Sequence, residues 1–176
     1  MDFAAQLGTV GGELDRRSVR WAVIGGVALA ALGMPRTTLD LDLVVEATAQ
    51  GSLVHWLESC GYQTLHRSSG YSNHLHADPQ QGRVDVVYVA GETADRLFDE
   101  VRKLPGPGGR PIPVPRPEHL AAMKVLAMRN DPGRTFQELA DIRFLLRAPG
   151  VDRELVREHF SRHGLEGRFD DLLRTL

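Results

Sequence analysis

Cys60 is the only cysteine in 176 residues, so no intrachain disulfide can form and a cysteine-based zinc site has no partners. Taken alone, it reads as a half-buried small residue. Aromatic residues make up only 6%, which argues against a surface built to stack single-stranded bases. No long apolar run exists either. The longest, Trp21 to Met34, is interrupted by three glycines and is too short to span a bilayer. Residues Met1 to Arg20 carry acids, glycines and arginines in place of a signal core, so the expectation is a cytoplasmic protein without membrane partners.

Hydrophobic residues at 42% and charged residues at 25% are the balance of a globular domain. The net charge of −2 hides an asymmetry: residues 1–100 hold 7 basic and 13 acidic side chains, whereas 101–176 hold 14 and 10. Either an acidic half that holds metal adjoins a basic half that meets phosphate, or the distribution is chance.

Residues 3–20 read as a helix, and Trp21 to Ile24 as a buried strand ending at the pair Gly25-Gly26, with a helix over Val27 to Leu32. Strict alternation from Leu39 to Val45 predicts a strand. A helix from Gln50 to Cys60 is closed by Gly61. Strands at Tyr62 to Leu65 and His74 to Ala77, then a turn over Asp78 to Gly82, lead back into Val84 to Val89 as a hairpin. Glu92 to Lys103 has helical spacing of Leu97, Val101 and Leu104. The prolines of 105–117 suggest a linker with one edge strand at Ile112 and Val114, and four helices follow. The expected class is α+β: a mixed sheet flanked by helices over 1–104, a Pro/Gly-rich linker over 105–117, and a helical subdomain over 118–176 packed on the core as one structural unit.

On the strand Leu39 to Val45, side chains alternate, so Asp40 and Asp42 share one face about 7 Å apart while Leu39, Leu41 and Leu43 are expected in the core. Asp85 repeats the pattern inside Val84 to Val89. Carboxylates on apolar strands need a cation nearby, because unpaired buried charge is costly. Three of them form an oxygen nest suited to Mg²⁺, with two ions expected and Mn²⁺ as an alternative; the plain alternative is a solvated sheet face. Gly25-Gly26 lets backbone N–H groups approach a phosphate, or is simply a tight turn. His74 and His76 share a face, but no third His or Cys stands at zinc-ligand spacing. In the hairpin, one of them could approach Asp85.

Gly25-Gly26, then Arg36-Thr37-Thr38-Leu39-Asp40-Leu41-Asp42, then Val84-Asp85-Val86 resemble the nucleotidyltransferase superfamily, in particular its AbiEii-type branch from toxin–antitoxin systems. Pro117-Glu118, Lys124, Ala127 and Asp141 extend the resemblance, which spans about residues 20–147. It implies a nucleotidyltransferase fold and transfer of a nucleoside monophosphate from an NTP to an acceptor, with a tRNA 3′ end or other RNA as the expected acceptor and a cognate antitoxin as a further partner. By resemblance, Asp40 and Asp42 bind metal and Asp85 completes the triad. Gly25, Gly26, Thr38 and Arg36 hold the triphosphate, Lys124 neutralises it and Asp141 contacts the nucleotide. Gln137-Glu138 departs from the family's usual basic and acidic pair before that aspartate. From the residues alone, the alternatives are a surface arginine at Arg36 and a solvated lysine at Lys124. Arg129, Arg134, Arg143 and Arg147 would follow a phosphate backbone, or pair with Glu138 and Asp141. A catalytically silent binding module and a small-molecule (antibiotic) nucleotidyltransferase are the alternatives.

Overall fold

The computed structural model describes residues 1–176, which divide into two compact units, Met1–Pro115 and Arg116–Leu176. The first unit is a five-stranded mixed sheet with helices. Its strands are β1 (Trp21–Val23), β2 (Asp40–Glu46), β3 (Tyr62–Arg67), β4 (Tyr71–His76) and β5 (Arg83–Val89), in the spatial order β1-β2-β5-β4-β3. β2 and β5 are parallel, and every other pairing is antiparallel.

The helices are α1 (Phe3–Arg16), α2 (Gly25–Ala31), α3 (Gln50–Ser59) and α4 (Gly91–Asp99). Asp2 caps α1 by accepting from the Ala5 amide. Gly61 follows α3 at φ 93°, a left-handed conformation that only glycine adopts cheaply at a helix end. α1 and α3 cover one face of the sheet: Gln6 Nε2 donates to the Tyr62 hydroxyl at 3.1 Å, and Thr64 Oγ1 to Glu58 at 2.7 Å. That face holds Leu41, Leu43, Val84 and Val86, all fully buried, so alternation turns Asp40, Asp42, Arg83 and Asp85 to the opposite face.

Several expectations are corrected. Leu39 is not in the core but 83% exposed, because β2 begins at Asp40 and the irregular chain before it does not continue the alternation. The helix expected to reach Lys103 ends at Asp99; Arg102–Pro105 (β6) instead pairs antiparallel with Pro111–Val114 (β7). The proline-rich stretch thus carries a two-stranded ribbon, since proline's missing N–H is tolerated where a strand edge needs no partner. Cys60 is exposed, not half-buried, at the end of α3.

The second unit consists of α5 (Pro117–Asn130), α6 (Thr135–Leu145), α7 (Arg153–Arg162) and α8 (Glu166–Leu173). Pro117 occupies the first turn of α5, where its lacking N–H costs nothing. Asp152 caps α7 by accepting from the Glu154 and Leu155 amides, and the Phe160 and Phe169 rings pack 5.2 Å apart. Glu118 is buried and accepts from the Asp152 amide at 2.7 Å. Burial pushes its carboxyl up, but that amide and Arg116 outweigh burial and hold it below the ordinary value. No helix of the chain is long and apolar enough to cross a membrane.

Candidate active site

The parallel register of β2 and β5 sets Asp42 directly beside Asp85 and Asp40 beside Arg83. One carboxylate oxygen from each of Asp40, Asp42 and Asp85 lies within 4.8 Å of the others, with Asp85 buried and the other two half-buried. The spacing of Asp-x-Asp on a strand creates the pair, and the crossover to a parallel neighbour supplies the third.

Each acid is held by a different neighbour. Thr38 Oγ1 donates to Asp40 Oδ1 at 2.7 Å. Arg83 Nε donates to Asp85 Oδ1 at 2.8 Å. Asp42 lies against the Gly25 backbone, where an added Cβ would come within 1.9 Å of its Oδ2, and Gly25 itself is at φ 62°. Gly26 is equally close to Thr38: a Cβ there would meet Thr38 Cβ at 2.6 Å. Both glycines therefore permit close approach of the strand-to-helix turn to the acids. Arg36, Thr37 and Thr38 line a cavity of about 540 Å³ together with Gly26, Val27 and Phe3.

Beside Asp85, on β4, stands Asn73, its cross-strand partner. Asn73 Nδ2 donates to the Tyr71 hydroxyl at 3.0 Å, while its Oδ1 is buried without a partner. Burial, reinforced by the charge of Asp85, pushes the Tyr71 phenol up to about 12, so it is neutral at any physiological pH. The hydrogen bond to Asp85 raises the Arg83 guanidinium, which is charged throughout.

The histidines do not approach this site. His74 pairs with Val84 on the helix-covered face, where it is fully buried between Thr64 Oγ1 at 3.1 Å and Ser72 Oγ at 2.8 Å. His76 accepts from the Asp78 amide and packs edge-on against Tyr62.

In the helical unit, Lys124 is buried, and its ammonium lies 2.8 Å from Glu138 Oε2 and 2.6 Å from Asp141 Oδ2. Arg134 Nη2 is 2.7 Å from Glu138 Oε1, an ion pair without hydrogen-bond alignment. Sequence reasoning named Lys124 and Asp141 but not Glu138 as their partner; the signal was its three-residue spacing from Asp141, which puts both acids on one face of α6. It also missed Arg83, although period-two alternation already put it on the face of Asp85, and Asn73, which only the hairpin register reveals.

The donor set consists of carboxylate oxygens only, without nitrogen or sulfur, which fits a hard divalent cation. The structure is similar to that of the antibiotic-resistance factor ANT(2″)-Ia, with a TM-score of 0.69, 17% identity, and 99% of this chain and 98% of that chain covered. It is also similar to a nucleotidyltransferase-like protein from Paracoccidioides brasiliensis (TM-score 0.58, 16% identity, 98% and 92% covered). The lincosamide antibiotic adenylyltransferase LnuA shares the fold at a TM-score of 0.55 and 18% identity, with 81% and 96% covered. No curated protein matches in sequence. The model of one family, described as nucleotidyl transferase AbiEii toxin, Type IV TA system, matches residues 14–175. Nearly the whole chain is thus accounted for by one family whose fold the first unit displays, and the protein belongs to the AbiEii nucleotidyltransferases.

Proposed function

We propose that the protein is a Mg²⁺-dependent toxin that moves a nucleoside monophosphate from an NTP to a hydroxyl of an RNA acceptor, with the tRNA 3′ end as the leading acceptor and a cognate antitoxin as its restraint. The observation that carries the reading is the convergence of the Asp40, Asp42 and Asp85 carboxylates within 4.8 Å on one sheet face. In this reading, Asp40 and Asp42 bind the cation and Asp85 completes its ligand set; Mn²⁺ could replace Mg²⁺. When bound, such a cation supplies Lewis-acid activation at the α-phosphate and offsets the charge of the departing pyrophosphate. Thr38 keeps Asp40 in its ligating orientation, and the Gly25-Gly26 turn brings backbone N–H groups close to the phosphates. Asp85 accepts the proton as the acceptor oxygen bonds to the α-phosphorus and the bond to the β-phosphate breaks. Arg36, Lys124 and Asp141 are assigned to the nucleotide by the family resemblance.

For RNA, the supporting feature is the exposed Arg143 in the last turn of α6 and the exposed Arg147 in the turn that follows it, neither of which forms an ion pair. Arg134 and Arg129 are less available, being engaged by Glu138 and His163. A small hydroxylated acceptor is the second reading, favoured by the adenylyl-tobramycin complex solved for ANT(2″)-Ia, whose fold this chain shares. Incubation with each of four labelled NTPs, Mg²⁺ and either total RNA or an aminoglycoside panel separates the two. We expect label on the tRNA band, lost in Arg143→Glu/Arg147→Glu and weakened steeply by salt. Label on an aminoglycoside alone would move the acceptor to the second reading, and no labelled product in any mixture would refute transfer.

A further inference from the structure

Asp85 is supported from the neighbouring strand as well as from its own. On β4, Tyr71 and Asn73 stand opposite Val87 and Asp85 of β5, so alternation turns both to the face of the three carboxylates. The Tyr71 hydroxyl lies among Asn73 Nδ2, which donates to it at 3.0 Å, the Arg83 guanidinium and the Asp85 carboxylate, and is hydrogen-bonded to the latter two as well. An amide NH₂ and a guanidinium can only donate. Of these neighbours, Asp85 is therefore the one that can take the phenolic proton. Arg83 meanwhile donates its own Nε–H to Asp85 Oδ1 at 2.8 Å. Donors from two strands thus converge on one carboxylate.

Asn73 carries the cost of this arrangement, because its Oδ1 is buried without a partner. A buried acceptor left unsatisfied is destabilising, and turning the amide over would offer Oδ1 the phenolic proton. That turn would also take the proton away from Asp85. The observed orientation keeps the unfavourable group and keeps the phenol aimed at the acid, the kind of trade found where local structure serves a site rather than stability.

We propose that Tyr71 is a positioning residue for Asp85 and that Asn73 acts through it, fixing the direction of the hydrogen-bond chain Asn73–Tyr71–Asp85 so that the carboxylate is oriented before a divalent cation binds. The inference rests on the reading that Asp40, Asp42 and Asp85 hold such a cation. Held by Arg83 and Tyr71 together, Asp85 cannot swing out of the cluster without breaking a hydrogen bond. With the phenol gone, only Arg83 restrains it, and part of the binding energy of the cation goes into ordering its ligand.

The test is titration of the full chain with Mn²⁺, read by calorimetry and by the electron paramagnetic resonance signal of free Mn²⁺, beside urea denaturation of the same variants. Tyr71→Phe keeps the ring and removes the hydroxyl. It should bind Mn²⁺ about tenfold more weakly than wild type, the low end for removing a hydrogen bond to a metal ligand. Asn73→Leu removes the orphaned oxygen with the amide, so its urea midpoint should equal or exceed that of wild type while its Mn²⁺ affinity falls at least about threefold. A residue pair that only supported the fold would lower the midpoint and leave the affinity of the folded variants unchanged. The double variant should bind Mn²⁺ as Tyr71→Phe does, because Asn73 acts through the phenol. Wild-type Mn²⁺ affinity in folded Tyr71→Phe overturns the positioning role while leaving the cation site standing. Additive losses in the double variant overturn the coupling of Asn73 to Tyr71. Absence of Mn²⁺ binding in wild type and variants alike overturns the cation site and this inference with it.

Discussion

Gly25→Ala puts a methyl group where the structure has no room. The added Cβ would stand 1.9 Å from Asp42 Oδ2, 2.6 Å from its Cγ and 2.8 Å from its Cβ. Rotating the carboxylate relieves the first two contacts but not the third, so the turn or β2 must also shift. The φ of 62° at this position adds about 1–2 kcal/mol for any residue with a Cβ. With the displacement, the total loss of stability should be about 2–3 kcal/mol. Function should suffer more than folding, because the displaced group is one of three converging carboxylates; altering the support of a metal ligand typically costs about 10–100-fold in affinity. Urea denaturation and Mn²⁺ calorimetry measure the two effects separately. Gly26→Ala is the companion variant: its φ is unstrained, but its Cβ would meet Thr38 Cβ at 2.6 Å, a contact that rotation does not relieve, so it should lower stability by about 1–2 kcal/mol and act through Asp40. A Gly25→Ala protein with wild-type stability and Mn²⁺ affinity within threefold would refute the argument that this turn is shaped by the acid beside it.

Asp42→Ala should lower transfer by at least about 100-fold while leaving the melting temperature unchanged or slightly higher, since like-charge repulsion is relieved; transfer within tenfold of wild type contradicts the assignment. Lys124→Met should destabilise the helical unit by about 3 kcal/mol, the low end for breaking a buried pair because Arg134 still faces Glu138; a loss under about 1 kcal/mol in urea would show the cluster to be dispensable. Burial pushes the His74 imidazole down, so the unfolded chain takes up a proton that the folded chain resists. The stability this represents is complete above the ordinary value near pH 6.5 and is lost as pH falls from there toward the lower folded value. Melting curves between pH 7.5 and 5.0 should decline less steeply for His74→Leu than for wild type, and parallel slopes would contradict the expectation.

The convergence of acids at the candidate site was legible because its two signals are local. Alternation over Leu41, Leu43 and Val45 turns Asp40 and Asp42 to one face whatever the strand pairs with, and a glycine pair before a helix limits what can approach it. What local pattern could not supply was pairing. The parallel register that sets Asp42 beside Asp85 depends on which strand lies next in the sheet, and so does the meeting of Arg83 with Asp40. The same limit explains the overrun at the end of α4: Leu97, Val101 and Leu104 are spaced as on a helix, yet β6 exists because β7 is available to pair with it.

Faces, too, could be grouped from sequence without being assigned. His74 and His76 do share a side of β4, but it is the side that α1 and α3 cover, which makes His74 a buried hydrogen-bonding residue. Lys124 shows the converse. A lysine on a helix of much apolar content reads from sequence as either solvated or functional, and its burial in an ion-pair cluster follows only when α6 presents Glu138 and Asp141 to it. Two acids facing one lysine would leave an excess negative charge in a buried place, which is expensive. Arg134, one turn before Glu138, brings a second cation to the cluster and leaves four charges that sum to zero. The carboxylate block on β2 and β5 is built differently: three acids converge on one sheet face, and Arg83 is paired with Asp85 among them. Of the two clusters, the helical one turns its carboxylates onto the chain's own cations, whereas the sheet one brings one oxygen of each of three acids within 4.8 Å of the others, the arrangement a hard divalent cation needs.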